Sequence, residues 1–190
     1  MSKRTQIICI HEGKQGASID PVFVNSFLKA YNPEWIRPWG TSKVRLIAKG
    51  GKTELRAEFP KELRNVLKAG SDTTLIVFAD IDEELQGGDE LKALYWGTAQ
   101  ENGISREDFE KVVFIFSKDR IENWVQFLQT GTTDENVEGP RVGNNSTVRE
   151  AAQKLADMCL GGKPVATLPP SLQWSCGNWH QLVNRMKKDW

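Results

Sequence analysis

The chain has 190 residues, with 25 Lys and Arg against 25 Asp and Glu, 39% hydrophobic and 26% charged residues, and three cysteines. That length fits one domain with a real core, and the composition is ordinary for a globular protein. No stretch could span a bilayer, the apolar run behind the basic Met1 to Arg4 is too short for a signal peptide, and Cys9, Cys159 and Cys176 form no Cys-x-x-Cys pair. These features exclude a membrane protein, a disulfide framework and a zinc knuckle, and make the cytoplasm the expected location.

In chain order, apolar runs alternate with helical patterns. Strands are predicted near 5–10, 44–49, 73–79 and 112–116, with helices near 21–31, 60–69, 86–102 and 120–129. Thr53 to Phe59 reads as a further edge strand, because Leu55, Ala57 and Phe59 alternate with charged residues. Strand–helix alternation with short β-branched runs implies right-handed crossovers, hence an α/β fold with a mostly parallel sheet of about four strands flanked by helices. Gln129 to Thr147 is rich in Gly, Thr, Asn and acids and reads as a mobile loop or linker. Thr147 and Glu150 form a capping box opening a helix that stops at Gly161-Gly162. A last helix from about Ser171 sets Leu172, Cys176, Trp179, Val183 and Met186 on one stripe. The predicted organisation is a core over 1–130, a flexible loop over 131–146 and a helical extension over 147–190 packed on that core.

The net charge of zero hides an asymmetry. From Arg37 to Lys68 there are nine bases against three acids; from Asp80 to Glu110 there are ten acids against two bases. The first segment suits a polyanion and the second a cation, although solvated helix faces also carry such charges.

Acidic residues stand where predicted strands run out. Glu12 follows Ile7 to Ile10, Asp80 and Asp82 follow Leu75 to Ala79, and Glu122 lies six residues beyond Val112 to Phe116. The carboxyl ends of parallel strands form the ligand crevice of an open α/β sheet, so these residues can meet. Two carboxylates about 4 Å apart repel by roughly 4 kcal/mol at an effective dielectric near 20, so converging acids need protons, a basic partner or a metal. Oxygen ligands without Cys or His at ligand spacing favour Mg²⁺ or Mn²⁺ over zinc. Each acid has a plainer reading. Asp20 before Pro21 is a helix N-cap, Asp119 with Glu122 is a capping pair, and Asp82 caps the next helix.

Glu12-Gly13 after the first strand and Asp80-Ile81-Asp82 after a later one resemble the TOPRIM domain of topoisomerases, primases and nucleases of the overcoming-lysogenization-defect type. The run from Asp119 to Trp124 is similar to the Arg-Ile-Glu-Asn-aromatic segment of TOPRIM-like nucleases in phage-defence systems, and Leu168 to Leu172 to a stretch in the same group. The resemblance covers roughly residues 5–130. In that branch a second acid stands three or four residues after the first Glu, whereas here Lys14 to Ile19 precede Asp20. The resemblance implies a Mg²⁺- or Mn²⁺-dependent nuclease with Glu12, Asp80 and Asp82 as catalytic residues and ligands of one metal. Glu122 and Asp20 then complete a second site, and Lys49, Lys52, Lys118 and Arg120 are the candidates to grip phosphates. The implied partners are DNA or RNA, a separate ATPase or sensor protein, and a second copy of the chain. A non-cleaving binding or scaffold subunit is the main alternative, and nucleotidyl transfer a third.

Gly50-Gly51-Lys52-Thr53 is similar to the end of a phosphate-binding loop, but Leu46 stands where that loop needs a glycine. His11 and His180 are the only histidines. His11 reads either as a proton shuttle beside Glu12 or as an incidental strand-end imidazole. Trp35, Trp39, Trp174 and Trp179 could stack on unpaired bases, or serve as core or interface aromatics.

Overall fold

A computed structural model describes residues 7–14, 16, 18–31, 43–70, 73–160 and 167–186. Four strands, β1 (Ile7–His11), β2 (Val44–Ala48), β3 (Thr74–Ile81) and β4 (Val113–Lys118), form one all-parallel sheet in the order β2-β1-β3-β4. All five residues of β1 are buried, as expected of a parallel strand covered on both faces. Its alternate side chains feed two separate cores.

Ile7 and Cys9, with Ile76, Phe78, Val113 and Ile115, face helices α1 (Asp20–Tyr31), α5 (Ile121–Thr130), α6 (Asn145–Leu160) and α7 (Pro170–Met186). Trp124 of α5 is fully buried there. It meets Phe23 and Phe78 edge-on at 6.2 and 6.1 Å, and its indole N–H donates to Ser171 Oγ at 2.8 Å. Ile8 and Ile10 face the opposite core, formed with α2 (Lys52–Ala69), α3 (Gly88–Glu101) and α4 (Arg106–Phe109). Phe59, Tyr95, Phe109 and Phe114 pack edge-on or tilted against one another there. Cys9 is the core residue its apolar strand implies, and burial pushes its thiol well above the usual range. Among the described residues no helix is long and apolar enough to cross a membrane.

The expected edge strand over 53–59 is instead the first half of α2, which also starts the helix predicted over 60–69. Leu55, Phe59, Leu63 and Val66 make one buried stripe while Ala57 is exposed, so the helical period governs and the alternation is incidental. Pro60 sits inside this helix, where its missing N–H removes one intrahelical hydrogen bond. The short helix α4 had no periodic signal; Ser105 caps it by accepting the Asp108 N–H at 3.1 Å. Helix α6 opens at Asn145 rather than at a Thr147 box, because Asn144 Oδ1 accepts the Ser146 N–H at 2.8 Å. Gly161-Gly162, Trp35 and Trp39 lie outside the described residues, as do the side chains of Cys159, His180, Val183 and Met186.

Residues 131–144 carry no helix or strand, as their composition implies, yet they are packed against the core rather than free. Fully buried Asn123 donates to Val137 O at 3.3 Å and accepts from Thr133 Oγ1 at 3.3 Å. Buried Glu135 accepts the Ser171 N–H at 3.0 Å and caps α7. At Gly139 a Cβ would stand 2.6 Å from Asn123 Oδ1 and 2.9 Å from Asn123 N, so the loop crosses the start of α5 with no room for a side chain.

Gly139→Ala should therefore destabilise the fold by about 1–3 kcal/mol, the usual effect of overpacking. Gly143→Ala, which meets nothing within 4 Å, should change stability by under about 0.5 kcal/mol. Urea unfolding of both variants checks this, and equal stabilities would show that the loop is not fixed at its crossing.

Candidate functional site

The chain winds one way from β1 to β2 and the other way from β3 to β4, so the direction reverses between the adjacent strands β1 and β3. At such a reversal the crevice beyond the strand ends is left uncovered by a crossover. Glu12 follows β1 directly and Asp80 lies near the end of β3. The Asp80 N–H donates to Glu12 Oε1 at 3.0 Å, and the Asp80 carboxylate accepts from Ser117 Oγ, its register partner on β4.

Gly13 has a steric reason to follow Glu12. A Cβ there would lie 2.3 Å from Ser18 Cβ and 2.9 Å from His11 Nδ1. That close approach turns the loop back so that Ser18 Oγ accepts the Asp20 N–H at 3.2 Å. Asp20 is the first residue of α1, with its carboxylate turned to the strand ends. Glu122 is not part of a capping pair: α5 begins at Ile121, Arg120 is its N-cap, and the Glu122 carboxylate is held by its own N–H. Asp119 turns the chain into α5 with φ 62°, a conformation unusual for a residue with a side chain, and its buried Oδ2 has no hydrogen-bond partner.

One cavity of about 500 Å³ gathers these groups, lined by Glu12, Asp20, Asp80 and Glu122 together with Gly13, Arg120 and Arg141. Asp82 lies outside its lining, half-buried and paired with Lys52 at 2.9 Å. Lys49 points away, to Glu62 at 2.6 Å and Glu58 at 3.4 Å on α2, with only 10% of its side chain exposed. Lys118 donates to Asp82 O and Leu85 O at 3.0 and 2.8 Å and lines a second cavity of about 660 Å³ beside Trp174. Arg120 pairs with Glu138 at 2.5 Å. Trp174 stacks on Phe116 at 5.1 Å and Trp179 on Phe27 at 4.5 Å, so both serve packing.

The cavity holds its acids under strain. Burial pushes Glu12 up to about 7, assisted by the charges of Asp82 and Asp20 and opposed by the Asp80 N–H. Burial, then Asp20 and Glu12, holds Asp80 well above the usual carboxylate range against the Ser117 hydroxyl. Asp20 and Glu122 are also raised, each chiefly by burial. Burial lowers His11, so its imidazole is neutral at pH 7 and its 3.8 Å contact with Asp20 is not an ion pair.

Partly buried oxygen donors whose ionisation burial disfavours suit a hard divalent cation. Among the described residues no three His, Cys, Asp or Glu side chains are already gathered at ligating distance. A hydrated Mg²⁺ needs only one or two direct carboxylates, so the donor set fits such an ion without a preformed cage. Glu12 and Asp80 are the central candidates, flanked by Asp20 and Glu122. Arg141 escaped sequence reasoning because it sits in a loop with no periodic signal. Ser117 becomes visible only once the β3–β4 register is known. No family model matches the chain, and no curated protein matches it.

A carboxyl raised in the folded state binds its proton more tightly there than in the unfolded chain. Its contribution to stability is therefore present below the ordinary 4.5 and lost as pH climbs to about 7 for Glu12. That shift corresponds to on the order of 3 kcal/mol. Without divalent cations, Asp80→Asn, which still offers Ser117 an oxygen, should melt several degrees above wild type at about pH 8 and lose that advantage near pH 4.5. Thermal melts at the two pH values test it; a variant less stable than wild type at pH 8 would mean the carboxylate is structural.

Proposed function

We propose that the chain is a divalent-metal-dependent nuclease of TOPRIM-like type, acting in the cytoplasm on DNA or RNA as an effector of bacterial or phage-associated defence. The observation that carries this reading is the meeting of Glu12, Asp20, Asp80 and Glu122 in one cavity at the reversal between β1 and β3. Such crowding of partly buried acids is a common mark of a functional site. The defence role rests on the resemblance of the run from Asp119 to Trp124.

Glu12 and Asp80 would hold the cation from the sheet, with Asp20 and Glu122 as further candidate ligands from the starts of α1 and α5. When bound, Mg²⁺ or Mn²⁺ supplies the positive charge that activates a water and offsets charge on a phosphodiester in flight. Asp80 is fixed by Ser117 and Glu12 by the Asp80 N–H, so both carboxylates are preoriented. Arg141 and Arg120 line the same cavity and are placed to contact phosphate oxygens, Arg141 having no ion pair among the described residues. Asp82 and Lys52 sit outside as a pair whose charges act on Glu12 in opposite senses, Asp82 raising it and Lys52 lowering it. Gating by ATP requires a separate ATPase or sensor protein.

One observation favours the rival reading of a non-cleaving binding or scaffold subunit. Lys49 and Lys52, from the basic segment, are committed to Glu58, Glu62 and Asp82 rather than left for a polyanion. Incubating the purified protein with plasmid, single-stranded DNA and tRNA in Mg²⁺, Mn²⁺ or EDTA separates the two. Metal-dependent cleavage supports the nuclease, and binding without cleavage supports the scaffold.

In the same assay Glu122→Gln should keep the melting temperature within a few degrees, because no cap depends on it. It should cut Mg²⁺-dependent cleavage by at least about 10-fold to 100-fold, a range that even changes around metal ligands reach, with partial rescue at high Mn²⁺. Wild-type rates at ordinary metal concentration would remove Glu122 from the site.

A further inference from the structure

We infer that Glu138 is a positioning residue of the cavity: it holds Arg120 against the loop and so keeps that guanidinium from pairing with the acids that a cation needs. This rests on the metal-dependent reading above. Arg120 lines the cavity with Glu12, Asp20, Asp80 and Glu122, whereas Glu138 is not part of the lining. Arg120 Nη1 stands 2.5 Å from Glu138 Oε1.

Left alone, a guanidinium beside crowded carboxylates pairs with them, and each carboxylate so neutralised is lost to a cation. Of the two arginines in the lining, Arg120 is the nearer in the chain to an acid. It is the N-cap of α5, two residues before Glu122. Burial raises the Glu122 carboxyl, and the charge of Arg120 already opposes that rise.

One buried side chain places both partners of the ion pair. Asn123 is fully buried; its backbone N–H donates to Arg120 O at 3.2 Å and its side-chain amide to Val137 O at 3.3 Å. On the other side of Glu138, Gly139 abuts the same Asn123, with a Cβ there only 2.6 Å from Oδ1. Glu138 is thus presented from a backbone fixed at both neighbours, toward the turn that carries Arg120. With side chains 37% and 57% exposed, the pair adds little to stability. Its fixed setting points to placement of the guanidinium rather than to holding the fold.

Calorimetric titration of the metal-free full chain with Mn²⁺ tests this. Glu138→Gln keeps the shape of the side chain without its charge and should weaken Mn²⁺ affinity by about 3-fold to 5-fold, the range an exposed ion pair commands. Combined with Arg120→Gln, it should return to within about 2-fold of wild type, because no competing guanidinium remains. Arg120→Gln alone should also stay within about 2-fold. A tightening there of more than about 5-fold would mean that Arg120 already sits on the acids, and overturns the inference. So does a double variant as weak as Glu138→Gln, which would trace the effect to the loop's conformation. If Glu138→Gln does not fold, Arg120→Gln still decides. Equal affinity in wild type and Glu138→Gln overturns the inference and leaves the metal reading standing; no Mn²⁺ binding by wild type at millimolar concentration overturns both.

Discussion

The reversal of winding between β1 and β3 brings two strand ends side by side with no crossover connection over them. Every other feature of the carboxyl edge depends on that juxtaposition. The Asp80 N–H bonded to Glu12 locks the two ends together, and Ser117 locks Asp80 to β4. Both acids are partly buried and held by these bonds, which limits how far either turns toward solvent to relieve repulsion. Helices α1 and α5 lie on the same face of the sheet, so their first turns deliver Asp20 and Glu122 into the same space. A helix start attracts negative charge, which makes an acid there natural. Its burial beside two others is what needs a counter-charge.

Much of the architecture was legible because a strand buried on both faces writes itself as an uninterrupted apolar run. Ile7 to Ile10 and Leu75 to Ala79 are such runs. The misreading of residues 53–59 has a local cause: Leu55 and Phe59 are four apart, a spacing common to a helical turn and to two strand alternations. Only Leu63 and Val66 further on decide for the helix. Asp20 and Glu122 were ambiguous for a similar reason, since a helix-capping acid and an acid aimed at a crevice occupy the same sequence position. What separates them is which way the first turn faces. That depends on the packing of α1 and α5 against Phe78 and Trp124.

Charge counts were less informative than they looked. The excess of bases over 37–68 includes Lys49 and Lys61, which the acids of α2 itself engage. Of the two arginines at the cavity, Arg141 comes from a segment read as linker. Its position depends on buried Asn123, on the bare crossing at Gly139 and on Glu135 at the head of α7. None of these contacts has a sequence period, because each joins a loop to a distant side chain. The loop thus belongs to the site as a wall, and its conformation is set by the elements on either side of it.

The sheet order also bears on how the molecule assembles. The two central strands, β1 and β3, are paired across more than sixty residues of intervening chain. The β3–β4 pair, by contrast, closes over a much shorter stretch. Loop closure favours the nearer pairing, so β3, α3 and β4 can form before β1 docks. Docking of β1 is then the step that forces Glu12 against Asp80. Where β1 docks after the barrier, the electrostatic penalty falls on its native side. A cation that relieves it acts on the native side of the barrier, slowing unfolding while leaving the folding rate nearly unchanged. A chevron plot whose unfolding limb alone moves with added Mn²⁺ is the expected signature, and a shift confined to the folding limb would place β1 in the nucleus.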